Sequence, residues 1–234
     1  MPRLTEVERR ILQKYNLDSE LSNSLASIRG LMEDIWADDA PRIVQGYTDH
    51  GEKHSERVAF FAEKLLQVNP SAEFSQKEIY LLLAGIYLHD IGMQCDIAKY
   101  SKIKRRAESL GAKFDEAFTA KTANEYTPEE QKEIRKNHHY LSAAWIDYLW
   151  DYKGNDPVLS HRIKSMRYDL VNDLIDVCKF HSKLSINDCP DYSNDHPSIR
   201  IRMVASILRF ADELDITSTR VNIETAKIFF HRSR

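Results

Sequence analysis

Hydrophobic positions recur at helical spacing along most of the chain. Residues 3–37 predict two helices interrupted near residues 16–18, and the second of them carries a single apolar stripe. That stripe consists of Leu21, Leu25, Ile28, Leu31 and Ile35. A further amphipathic helix is predicted after Gly51, with Val58 and Leu65 facing inward. The pattern is typical of an all-α protein whose helices pack around a shared core.

The most apolar stretch, LLLAGIYLHDIG, ends in His89 and Asp90. A capping box formed by Ser75 and Glu78 predicts a buried helix that begins near residue 76 and stops at Gly92. A buried ionisable pair is unfavourable unless it is compensated, and a divalent metal binds both a neutral imidazole and a carboxylate. An ordinary core histidine beside an aspartate would give the same dipeptide, so the other histidines decide between the two interpretations.

Four further segments also place an ionisable residue among their apolar positions. His54 lies one turn before an inward-facing valine, and Asp212 lies two turns after another. A helix predicted to start at residues 127–130 and to run to about residue 150 carries His138 on its buried stripe, with His139 one position further round. The residues delivered from the buried side are therefore His54, His89 with Asp90, His138 or His139, His181 and Asp212. Such a convergence in a helical bundle indicates a metal centre.

Composition narrows the class of protein further. A chain of 234 residues with 42% hydrophobic residues and only 7 Gly and 7 Pro suits one well-cored helical domain. The net charge of -3 gives no general attraction to nucleic acid or to an anionic membrane, and no apolar run reaches membrane-spanning length. The three cysteines show no paired spacing, which argues against disulfides and against a cysteine zinc site. The expected compartment is therefore the cytoplasm.

Four short motifs carry a family resemblance: HSERV at 54–58, LHDIG at 88–92, HHYLSA at 138–143 and ADELD at 211–215. Their order resembles the HD superfamily of metal-dependent phosphohydrolases, and the resemblance covers roughly residues 47–220. It implies an all-α HD-domain helical bundle around a metal site. On this basis residues 1–46 are expected to form N-terminal helices that pack on the core, and residues 93–126 an insertion in the domain.

The resemblance also implies a set of metal ligands. His54, His89, Asp90 and Asp212 would hold a first ion, and Asp90 would bridge to a second ion held by His138 and His181, with His139 as the alternative to His138. The mixed imidazole and carboxylate set suits one or two ions of Mn, Fe, Zn, Co or Ni, with Mg also allowed. Metal-activated water would then attack a phosphoester, and Asp90 would be indispensable to that reaction.

The chain departs from the family pattern in one place that concerns phosphate binding. Many relatives have a lysine directly after the HDIG motif, whereas this chain has Met93. Other cations must therefore contact the phosphate, and the candidates by their position in the sequence are Arg57, Lys183, Arg209 and Arg220. His50, in the motif DHGEKHS, is either a functional acid or supporting group of the site or a surface histidine.

The expected activity is hydrolysis of a phosphoester in a nucleotide or cyclic nucleotide. One alternative is a nuclease for single strands, for which KIKRR at 102–106 and RIKSMR at 162–167 are the candidate basic tracks. The other is a regulatory module that binds a nucleotide without turnover. The tail, residues 221–234, alternates like a strand, so a downstream domain or a second copy in a homodimer is expected to supply its pairing partner.

Overall fold

The computed structural model describes residues 4–37, 51–68, 73–93, 97–115, 118, 126–151 and 167–215. Its α-helices are α1 Glu6–Tyr15, α2 Ser19–Ala37, α3 Glu52–Val68, α4 Gln76–Leu88, α5 Ile97–Ser109, α6 Pro128–Asp151, α7 Val171–Lys179 and α8 Ile201–Leu214. Within these ranges there is no strand, and none of the helices combines the length and the apolarity needed to cross a membrane. The all-α prediction is confirmed.

The two N-terminal helices are separated where the sequence predicts. Thr5 caps α1 through a reciprocal capping box with Glu8, and Asn16 ends it in the left-handed conformation at φ 48°. Asparagine tolerates that conformation better than most residues do, which explains why the break falls there. α1 packs against α3 and α2 packs against α4, so the pair covers one side of the bundle.

The central helix α4 begins as predicted but ends earlier. Ser75 and Glu78 form a reciprocal capping box at its N-terminus, and every residue from Glu78 to Leu88 is buried. The helix stops at Leu88 instead of Gly92, because His89 and Asp90 form a turn that continues into a 3₁₀ segment, Ile91–Met93. The predicted end at Gly92 is wrong by one turn.

Contact with α6 explains the role of Gly92. A β-carbon at this position would lie 2.6 Å from the carbonyl oxygen of His138 and 2.6 Å from the backbone nitrogen of Ser142. The backbone nitrogen of Gly92 donates a hydrogen bond of 2.9 Å to Ser142 Oγ. Glycine is therefore required by the close approach of two backbones. This approach brings the turn that contains His89 and Asp90 directly against α6.

The remaining helices surround the end of α4. α6 packs against α5, α7 and the 3₁₀ segment, while α8 packs against α3, α4 and α7. The region predicted as an insertion contains α5, which buries Ile103 and Ala107 and pairs Arg106 with Asp147 and Asp151 of α6. Its basic run thus has an inward side as well as a solvated one. The strand-like tail at 221–234, together with His50 and Arg220, lies outside the described residues.

Candidate metal centre

Five elements bring six predicted ligands together at one end of the bundle. His54 comes from the first turn of α3, and His89 with Asp90 from the turn after α4. His138 lies within α6, His181 two residues after the end of α7, and Asp212 in the last turn of α8. His54, His89, Asp90 and His181 are buried, and His138 and Asp212 are partly exposed. The residues form two groups that could each hold a metal ion: His54, His89 and Asp212; and Asp90, His138 and His181.

In the first group two imidazoles face the carboxylate of Asp212, and Asp90 of the second group adds one oxygen to them. The Nε2 atoms of His54 and His89 lie 3.2 Å apart. Asp212 Oδ1 lies 3.3 Å from Nε2 of His54 and 3.8 Å from Nε2 of His89. Asp90 Oδ2 faces the same two atoms at 3.6 and 3.3 Å. These four atoms could fill the positions of a tetrahedral ion or four of the six positions of an octahedral one.

The second group is built around the other oxygen of Asp90. Nε2 of His138 and Nε2 of His181 lie 3.0 Å apart. Asp90 Oδ1 lies 3.8 and 3.9 Å from these two atoms. One carboxylate thus directs Oδ2 to the first group and Oδ1 to the second. This is the geometry that a bridging carboxylate between two ions requires.

The hydrogen bonds on the far side of each ring fix which nitrogen carries the proton. Nδ1 of His89, His138 and His181 faces the carbonyl oxygens of Ile86, Arg135 and Cys178, respectively. A carbonyl oxygen only accepts, so each Nδ1 must donate. In the neutral imidazole this leaves a lone pair on Nε2, the atom that points into the centre. These three rings thus present Nε2 to the centre in the orientation that a metal ligand needs.

Electrostatics distinguishes the two groups. Burial lowers the pKa of His138, and burial with the neighbouring imidazoles lowers the pKa of His181 to about 3. Both shifts favour the neutral imidazole, the form that binds a metal ion. Burial also lowers the pKa of His89, but Asp90 and Asp212 outweigh it and hold that pKa well above its ordinary value. Burial raises the pKa of Asp212, but its contacts with His54 and His89 prevail and hold it well below the usual range.

Comparison with known families agrees with this arrangement. A family model described as HD-CE matches residues 44–229. The chain belongs to the HD-CE family. No curated protein and no solved structure matches it. The predicted resemblance to HD-type domains is thereby confirmed, and both ligand groups lie inside the matched region. The HD-CE match, the fold and the two ligand groups together identify an HD-type domain with a candidate site for divalent metal.

Within this HD-CE domain the two adjacent histidines of α6, His138 and His139, have different surroundings. His138 belongs to the second group, whereas His139 is in neither group. The His139 ring is buried against Tyr140, with ring centroids 4.4 Å apart, and neither of its nitrogens has a hydrogen-bond partner among the described residues. Burial, His138, Lys183 and Lys179 lower its pKa to about 3. Of the two alternatives, the structure therefore brings only His138 into the centre.

The predicted phosphate-contacting cations lie in different settings. Nε of Arg57 donates a 2.7 Å hydrogen bond to Asp215. Arg209 donates to the carbonyl oxygen of Leu184 and pairs with Glu213, so it fixes the segment after His181. Lys183 is exposed, with Nζ 3.4 Å from the same Arg135 carbonyl oxygen that accepts from His138. Contact of any of these groups with phosphate stays a prediction.

Met93 and Asp215 complete the surroundings of the centre. Met93, which replaces the lysine of many relatives, is buried in the core. Asp215 was not predicted as a site residue, yet its side chain is fully buried and its Oδ2 lies 2.7 Å from Nδ1 of His54. The motif ADELD offered a signal for it, because Asp212 and Asp215 are three residues apart and share one helical side.

Proposed function

We propose that this protein hydrolyses a phosphoester in a nucleotide or cyclic nucleotide, with one or two divalent metal ions held by the two ligand groups. The observation that carries the proposal is the meeting of four imidazole Nε2 atoms, in pairs 3.2 and 3.0 Å apart, around one two-sided carboxylate. Between the members of each pair a single cation could be bound by both imidazoles and by one oxygen of Asp90. A divalent transition ion fits this donor set of imidazole and carboxylate.

The side chains would share the work of holding ions and substrate. His54, His89 and Asp212 would hold a first ion, and His138 and His181 a second, with Asp90 shared between them. Such ions supply Lewis acidity and lower the pKa of a coordinated water. The burial of Asp90 and His181 keeps bulk water from these donors, so their orientation is set by the helices alone.

Positive charge beside the second group supports an anionic substrate. Partial burial and the charges of Arg135 and Lys136 lower the pKa of Lys183, whose Nζ lies 3.4 Å from the Arg135 carbonyl oxygen that also accepts from His138. Local positive potential of this kind attracts phosphate groups and offsets charge on phosphoryl oxygens. Arg135 and Lys136 were not among the predicted phosphate contacts.

Ion pairs within the two basic runs favour a small substrate over a long single strand. In the basic run on α5, Arg106 is paired with Asp147 and Asp151 and Lys104 with Glu108. Arg167, from the second run, is paired with Glu20 and Asp169. Cations already engaged in this way give a nucleic-acid backbone little to follow.

The test combines an analysis of bound metal with assays of substrate turnover. Purified protein is analysed for bound transition metals and assayed with mononucleotides, cyclic dinucleotides and a generic phosphodiester, alongside Asp90→Ala. We expect bound metal and product in the wild type, and loss of both in the variant. Asp188→Ala, at an exposed aspartate that belongs to neither group, is the matched control and should behave as wild type.

Two results would decide against the proposal. Wild-type protein that takes up no divalent ion would remove its basis. Protein that binds metal and is thermally stabilised by a nucleotide, but forms no product from any substrate tested, would favour the regulatory module instead.

A further inference from the structure

His54 is oriented differently from the other three histidines of the centre. Those three direct Nδ1 to the carbonyl oxygen of the residue three positions earlier in their own segment. Nδ1 of His54 instead lies 2.7 Å from Oδ2 of Asp215, a residue 161 positions away that directly follows α8. The direction of this one ring therefore depends on how α3 and α8 pack together.

The position of His54 at the start of a helix explains the difference. His89 and His181 follow the ends of helices, where carbonyl groups lack partners in the next turn. His54 lies in the first turn of α3, where the unpaired backbone groups are N–H donors. The carbonyl oxygen three residues before it, that of Gly51, already accepts from the backbone of Ser55 at 3.2 Å. The acceptor for Nδ1 comes instead from another element, as the carboxylate of Asp215.

Asp215 is itself held in place by Arg57. Its second oxygen, Oδ1, accepts a 2.7 Å hydrogen bond from Nε of Arg57, one helical turn after His54 on α3. The side chain of Asp215 is fully buried, whereas that of Arg57 keeps 26% of its exposure. A fully buried carboxylate needs such compensation, and two donors on separate oxygens leave it a single orientation.

We propose that Asp215, held by Arg57, is a positioning residue for the first metal ligand group. It keeps the proton of His54 on Nδ1, so that Nε2 presents its lone pair to the centre, and it makes that imidazole a stronger donor. The proposal rests on the proposed function, because it assumes that an ion binds between His54, His89 and Asp212. It predicts that the first group depends on Asp215 and that the second group, built on Asp90, His138 and His181, does not.

The decisive experiment is a titration of metal-free protein with Co²⁺, followed by calorimetry and by the visible absorption of the bound ion. Wild type should show two binding steps. In Asp215→Asn one step should weaken by about 10- to 100-fold, while the other stays unchanged. Glu213→Gln is the matched control, since this exposed residue lies on the same turn and pairs only with Arg209 in the described contacts. It should retain both steps.

A second readout needs no metal. Nitrogen NMR of the imidazole rings should find His54 with its proton on Nδ1 in the wild type. In Asp215→Asn the carboxamide can also donate, so the single tautomer should be lost. Circular dichroism confirms that each variant is folded. If Asp215→Asn fails to fold, Arg57→Gln at the partly exposed end of the same contact takes its place, and Arg57→Lys should recover most of the affinity.

The outcomes separate the two proposals. Wild type that binds no Co²⁺ contradicts the proposed function, while the tautomer of His54 still tests the positioning role. Wild type with two steps, both unchanged in Asp215→Asn, overturns the positioning role alone. Equal weakening of both steps also overturns it, because a general loss of structure would have that effect. For Arg57, unchanged metal affinity with a raised KM would indicate contact with phosphate instead.

Discussion

This bundle contains two neighbouring buried polar clusters, and their polar groups are paired in different ways. In one, which we name the Arg29 cluster, the guanidinium of Arg29 binds Glu8, Glu33 and Glu52, and Tyr87 donates to Glu8. Every contact there joins a donor to an acceptor. In the metal centre, by contrast, like groups face each other: ring nitrogens meet in two pairs, and the carboxylates of Asp90 and Asp212 converge on one of those pairs.

The difference teaches what each cluster needs. A buried charge is tolerated when hydrogen-bonded opposite charges surround it, so the Arg29 cluster is complete with protein groups alone. On the proposed function, the metal centre would be completed by a bound cation. The two clusters are also neighbours along the chain, because Glu52 precedes His54 by two residues and Tyr87 precedes His89 by two. The completed cluster thus supports the backbone on which the incomplete one is built.

Arg29→Met should have the largest effect on stability. The side chain of Arg29 is 2% exposed and that of Glu8 is 1% exposed, so the substitution leaves a buried carboxylate without its partner. We expect the free energy of unfolding to fall by about 3–5 kcal/mol, measured by urea denaturation with and without added metal. Arg10→Met, which breaks the exposed pair with Glu6 and the contact with Glu63, is the control and should lose far less. An equal loss in both variants would mean that the Arg29 cluster is not special.

Added metal should have the next largest effect on stability, and this effect should come only from the metal centre. Mn²⁺ at about 100 times its dissociation constant should raise the free energy of unfolding by about 2.7 kcal/mol, and a chelator should reverse the gain. Arg29→Met should keep this gain on its lower baseline, whereas Asp90→Ala should lose it. If Arg29→Met removed the gain, the two clusters would not be independent.

The sequence predicts those features of the fold and the site that are caused by residues close together in the chain. The start of α4 at Ser75 and Glu78 and the break at Asn16 were predicted, because capping and left-handed conformation involve neighbouring residues. Helical periodicity also predicted which side of each helix carries His54 and Asp212. These features need no knowledge of the rest of the fold.

The features that the sequence could not predict arise from contacts between distant segments. The end of α4 is set by the approach of Gly92 to α6, and the separation of His138 from His139 is set by the rotation of α6 against α7. The contact of His54 with Asp215 spans 161 positions and depends on two helices meeting. A one-dimensional pattern places such residues on a buried side but does not pair them.

His181→Leu should sharpen the contrast between complete and incomplete clusters. In metal-free protein the substitution removes a hydrogen bond to Cys178 but also one of the two opposed lone pairs, and these effects offset each other. The free energy of unfolding should therefore change by less than about 1 kcal/mol, far less than in Arg29→Met. Part of the stabilisation by Mn²⁺ should be lost in the same urea measurements. A loss of stability as large as that of Arg29→Met would show that the histidines support the fold itself.

The smallest effect is expected at a third polar contact, between Glu78 and Arg200. Burial raises the pKa of Glu78, but hydrogen bonds from Arg200 and from the backbone outweigh it and lower the pKa below its usual value of 4.5. A depressed folded pKa contributes stability above the unfolded pKa, and that contribution is lost as the pH falls through the folded value. As the pH falls from about 6 to about 3, the wild type should therefore lose slightly more stability than Glu78→Gln, which has no carboxyl group to titrate. Urea denaturation of both proteins at the two pH values measures this difference, and parallel losses would contradict it. Like the Arg29 cluster, and unlike the metal centre, this contact should respond to acid in the same way with or without Mn²⁺, because its donors and acceptors are already matched.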